Sequence, residues 1–148
     1  MDHSLTIANR TERIILNFAH RCALSCEWCY VPFGGAPAQV NMISAIVDRI
    51  AELGFRFLTI GGGDPFQYSF LPKILYQAKA ASLFVHVDTH AKSMRQLPII
   101  RKVLNEAVDL LGLPLDGSVA ALHDEMRSAP GHFDIVNEDI AVMMHYWI

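Results

Sequence analysis

The sequence has few charged residues, few cysteines and no long apolar run. Only 18% of its 148 residues are charged and 52% are hydrophobic, whereas typical soluble domains carry about 25% charged residues. A chain this apolar is not disordered, and its length fits a single domain, residues 1–148. No apolar run approaches the roughly 20 residues that span a bilayer, and residues 1–13 lack the apolar core of a signal peptide. We therefore expect a cytoplasmic protein without membrane contacts.

The balance of charge is slightly acidic. Twelve basic residues stand against fifteen acidic ones, for a formal net charge of -3. No cluster of lysine and arginine is present that would follow a phosphate backbone, so general nucleic-acid binding is not expected. The chain has three cysteines, and thiols stay reduced in the cytoplasm. These cysteines are therefore expected to be metal ligands or reactive groups rather than disulfide partners.

Short β-rich runs alternate with segments of helical periodicity along the chain. This alternation predicts an α/β fold with a parallel sheet and right-handed crossovers. Glycines and a proline in residues 61–65 are expected to end the second strand. The strands are expected at residues 13–19, 55–60, 82–87 and 107–113, and the helices at residues 40–53, 70–80, 97–105 and 133–147.

The chemically unusual residues follow the predicted strands. Ligands of parallel α/β sheets bind at the carboxyl ends of the strands. The cysteines follow the first strand, the glycine run follows the second, residues 88–90 follow the third and residues 116–118 follow the fourth. We expect these four loops to share one rim.

Three cysteines occur in one loop with the spacing C-x3-C-x2-C: Cys22, Cys26 and Cys29. Thiolates on so short a loop can converge on one metal centre, and a cubane held by three cysteines keeps one iron open for a small molecule. One alternative is zinc bound by the three cysteines together with His20, His90 or another histidine. A redox pair of Cys26 and Cys29 is a second alternative.

This spacing after the first strand of a βα fold, with the aromatic Trp28 before the last cysteine, resembles the radical S-adenosylmethionine (radical SAM) superfamily. The resemblance implies that Cys22, Cys26 and Cys29 bind a [4Fe-4S] cluster and that S-adenosylmethionine (SAM) chelates its open iron. It also implies that Trp28 and Tyr30 lie near SAM. A reductant such as flavodoxin or ferredoxin would supply the electron that cleaves SAM to a 5'-deoxyadenosyl radical, which takes hydrogen from an unidentified substrate.

The glycine run extends the resemblance. Gly62, Gly63, Asp64 and Pro65 match the family's Gly-Gly-Glu-Pro segment, which receives the amino group of SAM. Asp64 is one methylene shorter than the usual glutamate. Taken alone, the glycine run is equally well explained as a tight exit from the sheet.

A later segment, residues 113–118 (Leu-Pro-Leu-Asp-Gly-Ser), resembles the one that follows the fourth strand in members that act on peptides and other substrates. By this resemblance Asp116 contacts SAM, and Arg127 pairs with the carboxylate of SAM through its planar guanidinium. A solvated charge at a helix end explains Arg127 equally well, because exposed arginines are common. No catalytic side chain is assigned, although the position of His90 after a strand favours it over the other histidines as an acid or base.

The family's core is, by resemblance, a partial TIM barrel of six βα units, of which four fit this sequence. We therefore expect the N-terminal part of a radical SAM core domain, apparently truncated, or a sheet whose open edge is covered by a partner chain or a second copy. The alternative function is a non-catalytic half barrel that binds an iron-sulfur cluster or zinc and is completed by a partner. The substrate is not predicted beyond the similarity to members that mature peptides or proteins.

Overall fold

The computed structural model describes residues 10–31, 38–96 and 99–146. Within these ranges four parallel strands form one sheet in the order β1-β2-β3-β4. Helices connect successive strands, so the predicted parallel α/β partial barrel is confirmed. The strands are β1 (Arg10–Ala19), β2 (Phe55–Gly62), β3 (Phe84–Asp88) and β4 (Leu110–Gly112), and the helices are α1 (Val40–Glu52), α2 (Leu71–Ala80), α3 (Ile100–Ala107), α4 (Ala120–Arg127) and α5 (His132–Tyr146).

The core lies on one face of the sheet. Alternate residues of β2 and β3 are fully buried there, because successive side chains of a strand point to opposite faces. They form one apolar cluster with aliphatic residues of α1, α2 and α3. The strand residues of this cluster are Leu58, Ile60, Val85 and Val87, and the helix residues include Ile43, Val47, Ile74, Leu75 and Val103.

The opposite face of the sheet is open and partly polar. Arg13 Nη1 donates to Thr59 Oγ1 (2.8 Å) and lies 3.1 Å from His86 Nδ1. Because a guanidinium only donates, His86 Nδ1 accepts and the ring proton sits on Nε2. That nitrogen lies 3.0 Å from Asp88 Oδ1. This polar row runs toward the carboxyl ends of the strands.

The second strand is longer than predicted. It continues through Gly61, which pairs with Asn17, to Gly62, which pairs with Ala19 of β1. The predicted end at Ile60 was therefore wrong, because β1 supplies pairing partners for the two glycines. Gly62 has a φ of +117°, a conformation that favours glycine.

Other boundaries also differ. Residues 107–113 were predicted as the fourth strand, but β4 covers only Leu110–Gly112, because Ala107 is the buried last residue of α3. The third helix begins at Ile100, and its predicted start at residues 97–98 lies outside the described residues. The first two helices lie within one residue of their predicted bounds. α5 begins at His132, and its predicted end at Trp147 also lies outside the described residues.

The short helix α4 was not predicted. Its one buried residue is His123, whereas Leu122 and Met126 are exposed. The helix therefore lacks the apolar stripe by which an amphipathic helix is found in a sequence. In the described part of the chain, no helix is both long and apolar enough to cross a membrane.

Candidate functional site

A cavity of about 280 Å³ opens at the carboxyl ends of the strands. Its walls come from segments at the carboxyl ends of all four strands, as predicted for the first three, but at the end of β4 the lining residues are 112–114 rather than the predicted 116–118. The lining residues are Cys22, Leu24, Cys26, Trp28, Cys29, Tyr30 and Val31 after β1; Gly62 and Gly63 at the end of β2; Asp88, Thr89 and His90 from β3 onward; Gly112, Leu113 and Pro114 from β4 onward; and Arg127 of α4.

All three cysteines are free, half-buried and part of this cavity. The backbone N–H of Leu24 donates to Cys22 Sγ (3.4 Å), and Cys26 Sγ donates to the carbonyl of Arg127 (3.6 Å). The backbone N–H of Cys29 donates to the carbonyl of Cys26 (3.2 Å), which closes a turn between these two residues. Burial raises the pKa of the Cys22 thiol. A cation or metal beside this thiol would therefore be needed to form its thiolate at neutral pH.

The three thiols do not converge on one point. In the described ranges no three His, Cys, Asp or Glu side chains lie close enough to hold a single metal ion. A single zinc ion needs every ligand within about 2.0–2.3 Å of it, whereas a cubane takes thiolates on separate irons. Three free thiols that line one cavity fit a cluster as a donor set.

The glycine run lies against the chain that leads from β1 into the cysteine loop. A Cβ at Gly62 would lie 2.4 Å from the carbonyl oxygen of Ala19, and one at Gly63 would lie 2.2 Å from that of Arg21. The backbone N–H of Gly63 donates to Ala19, and that of Asp64 donates to Arg21 (2.7 Å). Glycine is therefore required for this close approach. The glycine run is therefore both the tight exit from the sheet and a part of the cavity wall.

Asp64 lies behind the cavity wall rather than in it. It is fully buried, and its Oδ1 accepts from Thr89 Oγ1 (2.8 Å) and from the backbone N–H of Phe66 (3.3 Å). Its Oδ2 is 3.0 Å from His90 Nε2 but off the alignment of a hydrogen bond. Burial lowers the pKa of His90, although Asp64 acts in the opposite sense. Pro65 begins a buried 3-10 turn, and it does not line the cavity either.

Arg127 forms another part of the cavity wall and is supported by Asp116. The guanidinium pairs with both carboxylate oxygens of Asp116, through Nη2 to Oδ1 at 2.9 Å and through Nε to Oδ2. Arg127 thereby holds the pKa of Asp116 below its ordinary value. The guanidinium carbon also lies 4.8 Å from the centroid of the Trp28 ring, within the range of a cation–π contact. Arg127 lines the cavity, whereas Asp116 does not.

The predicted site residues therefore fall into two groups. Eight of them line the cavity, and three, namely Asp64, Pro65 and Asp116, lie outside its lining. Asp88 and His90 also line the cavity; no ligand contact was predicted for Asp88, and His90 was considered only as a zinc ligand or as an acid or base. Their place at the carboxyl end of β3 was the signal in the sequence that pointed to them. The eight lining residues are Cys22, Cys26, Trp28, Cys29, Tyr30, Gly62, Gly63 and Arg127.

Fold and site together define an α/β partial barrel with a cysteine-lined cavity at its carboxyl rim. The family model of the Radical SAM superfamily matches residues 16–137. This match covers most of the chain, so the chain belongs to the radical SAM superfamily, and the resemblance drawn from the motifs is confirmed.

Two curated relatives illustrate the similarity. The PqqA peptide cyclase of Xanthomonas campestris pv. campestris (strain B100) is 29% identical over 80 residues, which are 51% of this chain and 21% of that protein. The AdoMet-dependent heme synthase of Methanosarcina barkeri (strain Fusaro / DSM 804) is 25% identical over 145 residues, which are 94% of this chain and 41% of that protein. The chain thus spans less than half of the length of either relative. Both relatives are named as enzymes.

Solved structures show the same fold. The crystal structure of Streptococcus suis SuiB bound to the precursor peptide SuiA matches with a TM-score of 0.72 at 16% identity, covering 85% of this chain and 29% of that one. The structure of SuiB bound to S-adenosylmethionine matches with a TM-score of 0.68 at 17% identity, covering 93% and 30%. The fold of this chain is therefore that of the matched part of SuiB.

Proposed function

We propose that this chain forms the cluster-binding and SAM-binding part of a radical SAM enzyme that modifies a peptide. The observation that carries the proposal is one cavity lined by three free thiols, two glycines and a guanidinium. Cys22, Cys26 and Cys29 hold a [4Fe-4S] cluster, whose fourth iron is left for SAM. When bound, the reduced cluster and SAM supply the cleavage to a 5'-deoxyadenosyl radical and the abstraction of hydrogen from substrate.

The remaining lining residues bind and orient SAM in this proposal. Gly62 and Gly63 present backbone without a Cβ to its amino group. Arg127 has five N–H donors, of which Asp116 takes only two, so further donors serve the carboxylate of SAM. Trp28 and Tyr30 offer aromatic faces to the adenine at the cavity mouth.

The three predicted site residues outside the lining have supporting roles in the proposal. Asp64 ties the loop after β2 to the loop after β3 through its contacts with Thr89 and His90. Pro65 starts the turn that buries Asp64. Asp116 fixes the direction of the Arg127 guanidinium through two hydrogen bonds. These residues position the wall of the cavity rather than touch SAM.

The peptide substrate is supported by two relatives of different kinds. One curated relative is named a peptide cyclase, and one structural neighbour was solved with a precursor peptide. The heme synthase relative, which matches 94% of this chain, makes heme chemistry the second candidate. A flavodoxin or ferredoxin as electron donor, and a partner chain or second copy on the open edge of the sheet, complete the proposal.

The cluster is tested by anaerobic reconstitution with iron and sulfide. The wild-type chain is expected to turn brown and to bind about four irons and about four sulfides. Cys26→Ala is expected to lose the cluster, whereas Ser25→Ala, a change of the adjacent residue in the same loop, is expected to keep it. Colourless protein that holds one zinc ion and survives air would overturn the cluster and favour the non-catalytic binding module.

The SAM site is tested on reconstituted, reduced protein. Addition of SAM is expected to change the electron paramagnetic resonance spectrum of the cluster, because SAM chelates one of its irons. Dithionite is then expected to release 5'-deoxyadenosine from SAM. If the cluster is intact but its spectrum does not change when SAM is added, the proposed SAM site is contradicted. The assignment of the cluster to the three cysteines would still stand.

A further inference from the structure

A buried pair of histidines connects α4 to α5. His123, the one buried residue of α4, is 0% exposed, and His132, the first residue of α5, is 1% exposed. His123 Nε2 lies 2.8 Å from His132 Nδ1, and the ring planes are inclined by only 7°. Leu122, the residue before His123 on the helix, is 47% exposed instead. Polar contacts therefore hold α4 where an ordinary helix would use apolar ones.

The partners at the two ends of the pair fix its protons. The backbone N–H of Asp116 donates to His123 Nδ1 (3.1 Å), so this nitrogen is unprotonated. His132 Nε2 lies 2.7 Å from the backbone carbonyl of His90, which only accepts, so this nitrogen carries a proton. In the neutral pair the proton between the rings then belongs to His123 Nε2 and is donated to His132 Nδ1. Both rings are neutral Nε2–H tautomers, and each ring nitrogen has a partner.

A further proton has no place in this chain of hydrogen bonds. On His132 Nδ1 it would face the proton of His123 Nε2, and on His123 Nδ1 it would face the N–H of Asp116. Burial lowers the pKa of His132, against the raising effect of its bond to the carbonyl of His90. The neutral form is therefore the one that the surroundings stabilise.

Charged groups of both signs face the pair from the neighbouring elements. The carboxylate of Asp116, with Oδ2 3.7 Å from His123 Nδ1, attracts a proton, but Arg127 pairs with it. Asp124 of α4 also attracts one while it accepts the backbone N–H of Phe133. Arg127 repels a proton on His132, as does the imidazole of His90 when charged, and Lys92 of the loop after β3 lines the same small cavity as His132. Because these charges act in opposite directions, burial and the hydrogen bonds determine that the pair is neutral.

The end of α4 holds the cysteine loop. Trp28 Nε1 donates to the carbonyl of Met126 (2.7 Å), and Cys26 Sγ donates to the carbonyl of Arg127 (3.6 Å). The guanidinium of Arg127 lies over the Trp28 ring. A displacement of α4 therefore breaks contacts at the wall of the candidate site.

We propose that the His123–His132 pair is a proton-sensitive latch: with both rings neutral it holds α4 against the cavity, and uptake of one proton releases the helix. Neither histidine lines the cavity, so both act as positioning residues through Trp28 and Arg127. This latch goes beyond the proposed function and does not depend on it. It involves only side chains of the protein, so it can be tested on the chain without iron or SAM.

The first test is nuclear magnetic resonance of the imidazole nitrogens in the metal-free chain. Trp147→Phe leaves Trp28 as the only tryptophan. At about pH 7.5 His123 and His132 are expected as Nε2–H tautomers, and on lowering to about pH 5 the Trp28 indole N–H resonance is expected to shift with the same midpoint as the pair. An Nδ1–H on either ring at the higher pH, or a Trp28 signal that does not follow the pair, would overturn the latch.

The second test removes the titration but keeps the outer hydrogen bonds. In the double variant, His123→Asn keeps an acceptor for the N–H of Asp116 and His132→Gln keeps a donor for the carbonyl. The Trp28 resonance is then expected to stay constant between about pH 7.5 and about pH 5. His86→Gln, a histidine of the open sheet face, is the matched control and keeps the transition. If the Trp28 resonance of the double variant shifts with pH as it does in the wild type, the proposal is refuted. If the double variant does not fold, the first test alone decides between the latch and its absence.

Discussion

α2 and α4 are both short helices of the same α/β fold, but different forces hold them in place. α2 is fixed by apolar burial, and each buried aliphatic side chain contributes about 1.5–3 kcal/mol without any demand on direction. α4 is fixed by polar contacts, among them the hydrogen bonds of His123, which depend on direction and on the position of a proton. Apolar burial thus builds the sheet and its helices, whereas polar contacts set the wall of the cavity. The buried residues of α2 are Leu71, Ile74, Leu75 and Ala78.

The largest effect is expected from a leucine of the apolar helix. Leu75 is fully buried in the core, so Leu75→Ala leaves a cavity and is expected to lower the free energy of unfolding by about 2–5 kcal/mol. Leu122→Ala in α4 is the matched control, and this exposed leucine is expected to change it by no more than about 0.5 kcal/mol. Urea unfolding measures both. Equal losses would break the contrast between the two helices.

A smaller loss of unfolding free energy is expected at Gly63, where two backbone segments are in close contact. A Cβ at Gly63 would lie 2.2 Å from the carbonyl oxygen of Arg21, which cannot turn away. Gly63→Ala is therefore expected to cost about 1–3 kcal/mol and to displace the glycine run from the cysteine loop. At Gly112 the Cβ would meet Asp88 Oδ1 at 2.1 Å, but that side chain is 56% exposed and can rotate. Urea unfolding should show Gly112→Ala to be milder, and the reverse order would contradict this explanation.

The Asp116–Arg127 pair in the wall of the cavity is expected to make stability depend on pH in acid. Arg127 holds the pKa of Asp116 below its ordinary value of 3.8, so the unfolded chain takes up this proton at a higher pH than the folded chain does. The stabilisation is therefore full above pH 3.8 and is lost as the pH falls through the lower folded-state pKa. The urea midpoint of the wild type should fall more steeply below that pH than that of Asp116→Asn. Asp134→Asn, at an exposed position of α5, should follow the wild type; parallel curves for all three would contradict the role of the pair.

The smallest effect is expected at an ion pair on α1. Arg49 Nη1 lies 3.0 Å from Glu52 Oε2, and both side chains are about two-thirds exposed (65% and 63%). Glu52→Gln is expected to change the free energy of unfolding by less than about 0.5 kcal/mol, because water and salt screen exposed pairs. Repeating the urea unfolding at about 1 M salt should remove even this difference. A loss of unfolding free energy comparable to that of Leu75→Ala would mean that exposed polar contacts also stabilise the helices that pack on the apolar core.

The same difference between apolar and polar anchoring explains which elements could be predicted. α1 and α2 were found within one residue, because their apolar residues recur at helical spacing and face one core. α4 was missed, because its leucine and methionine face solvent and its anchor is a histidine. The end of β2 was misplaced, since pairing with β1 overrides the tendency of Gly61 and Gly62 to end a strand.

The candidate site divides in the same way. The cysteine spacing is local, so Cys22, Cys26 and Cys29 could be selected from the sequence with their loop. The contacts of Asp64 and Asp116 could not be predicted, because Asp64 pairs with Thr89 of another loop and Asp116 pairs with Arg127 at the end of α4, and neither carboxylate lines the cavity.

By itself the sequence determined the succession of strands and helices and the spacing of the thiols, since both are repeated or short-range patterns of residue type. Only the tertiary structure decided that Arg127 pairs with Asp116, that Gly63 packs on Arg21 and that His123 meets His132. These contacts join separate segments of the chain. Their geometry depends on how the whole sheet and its helices pack, which no local pattern encodes.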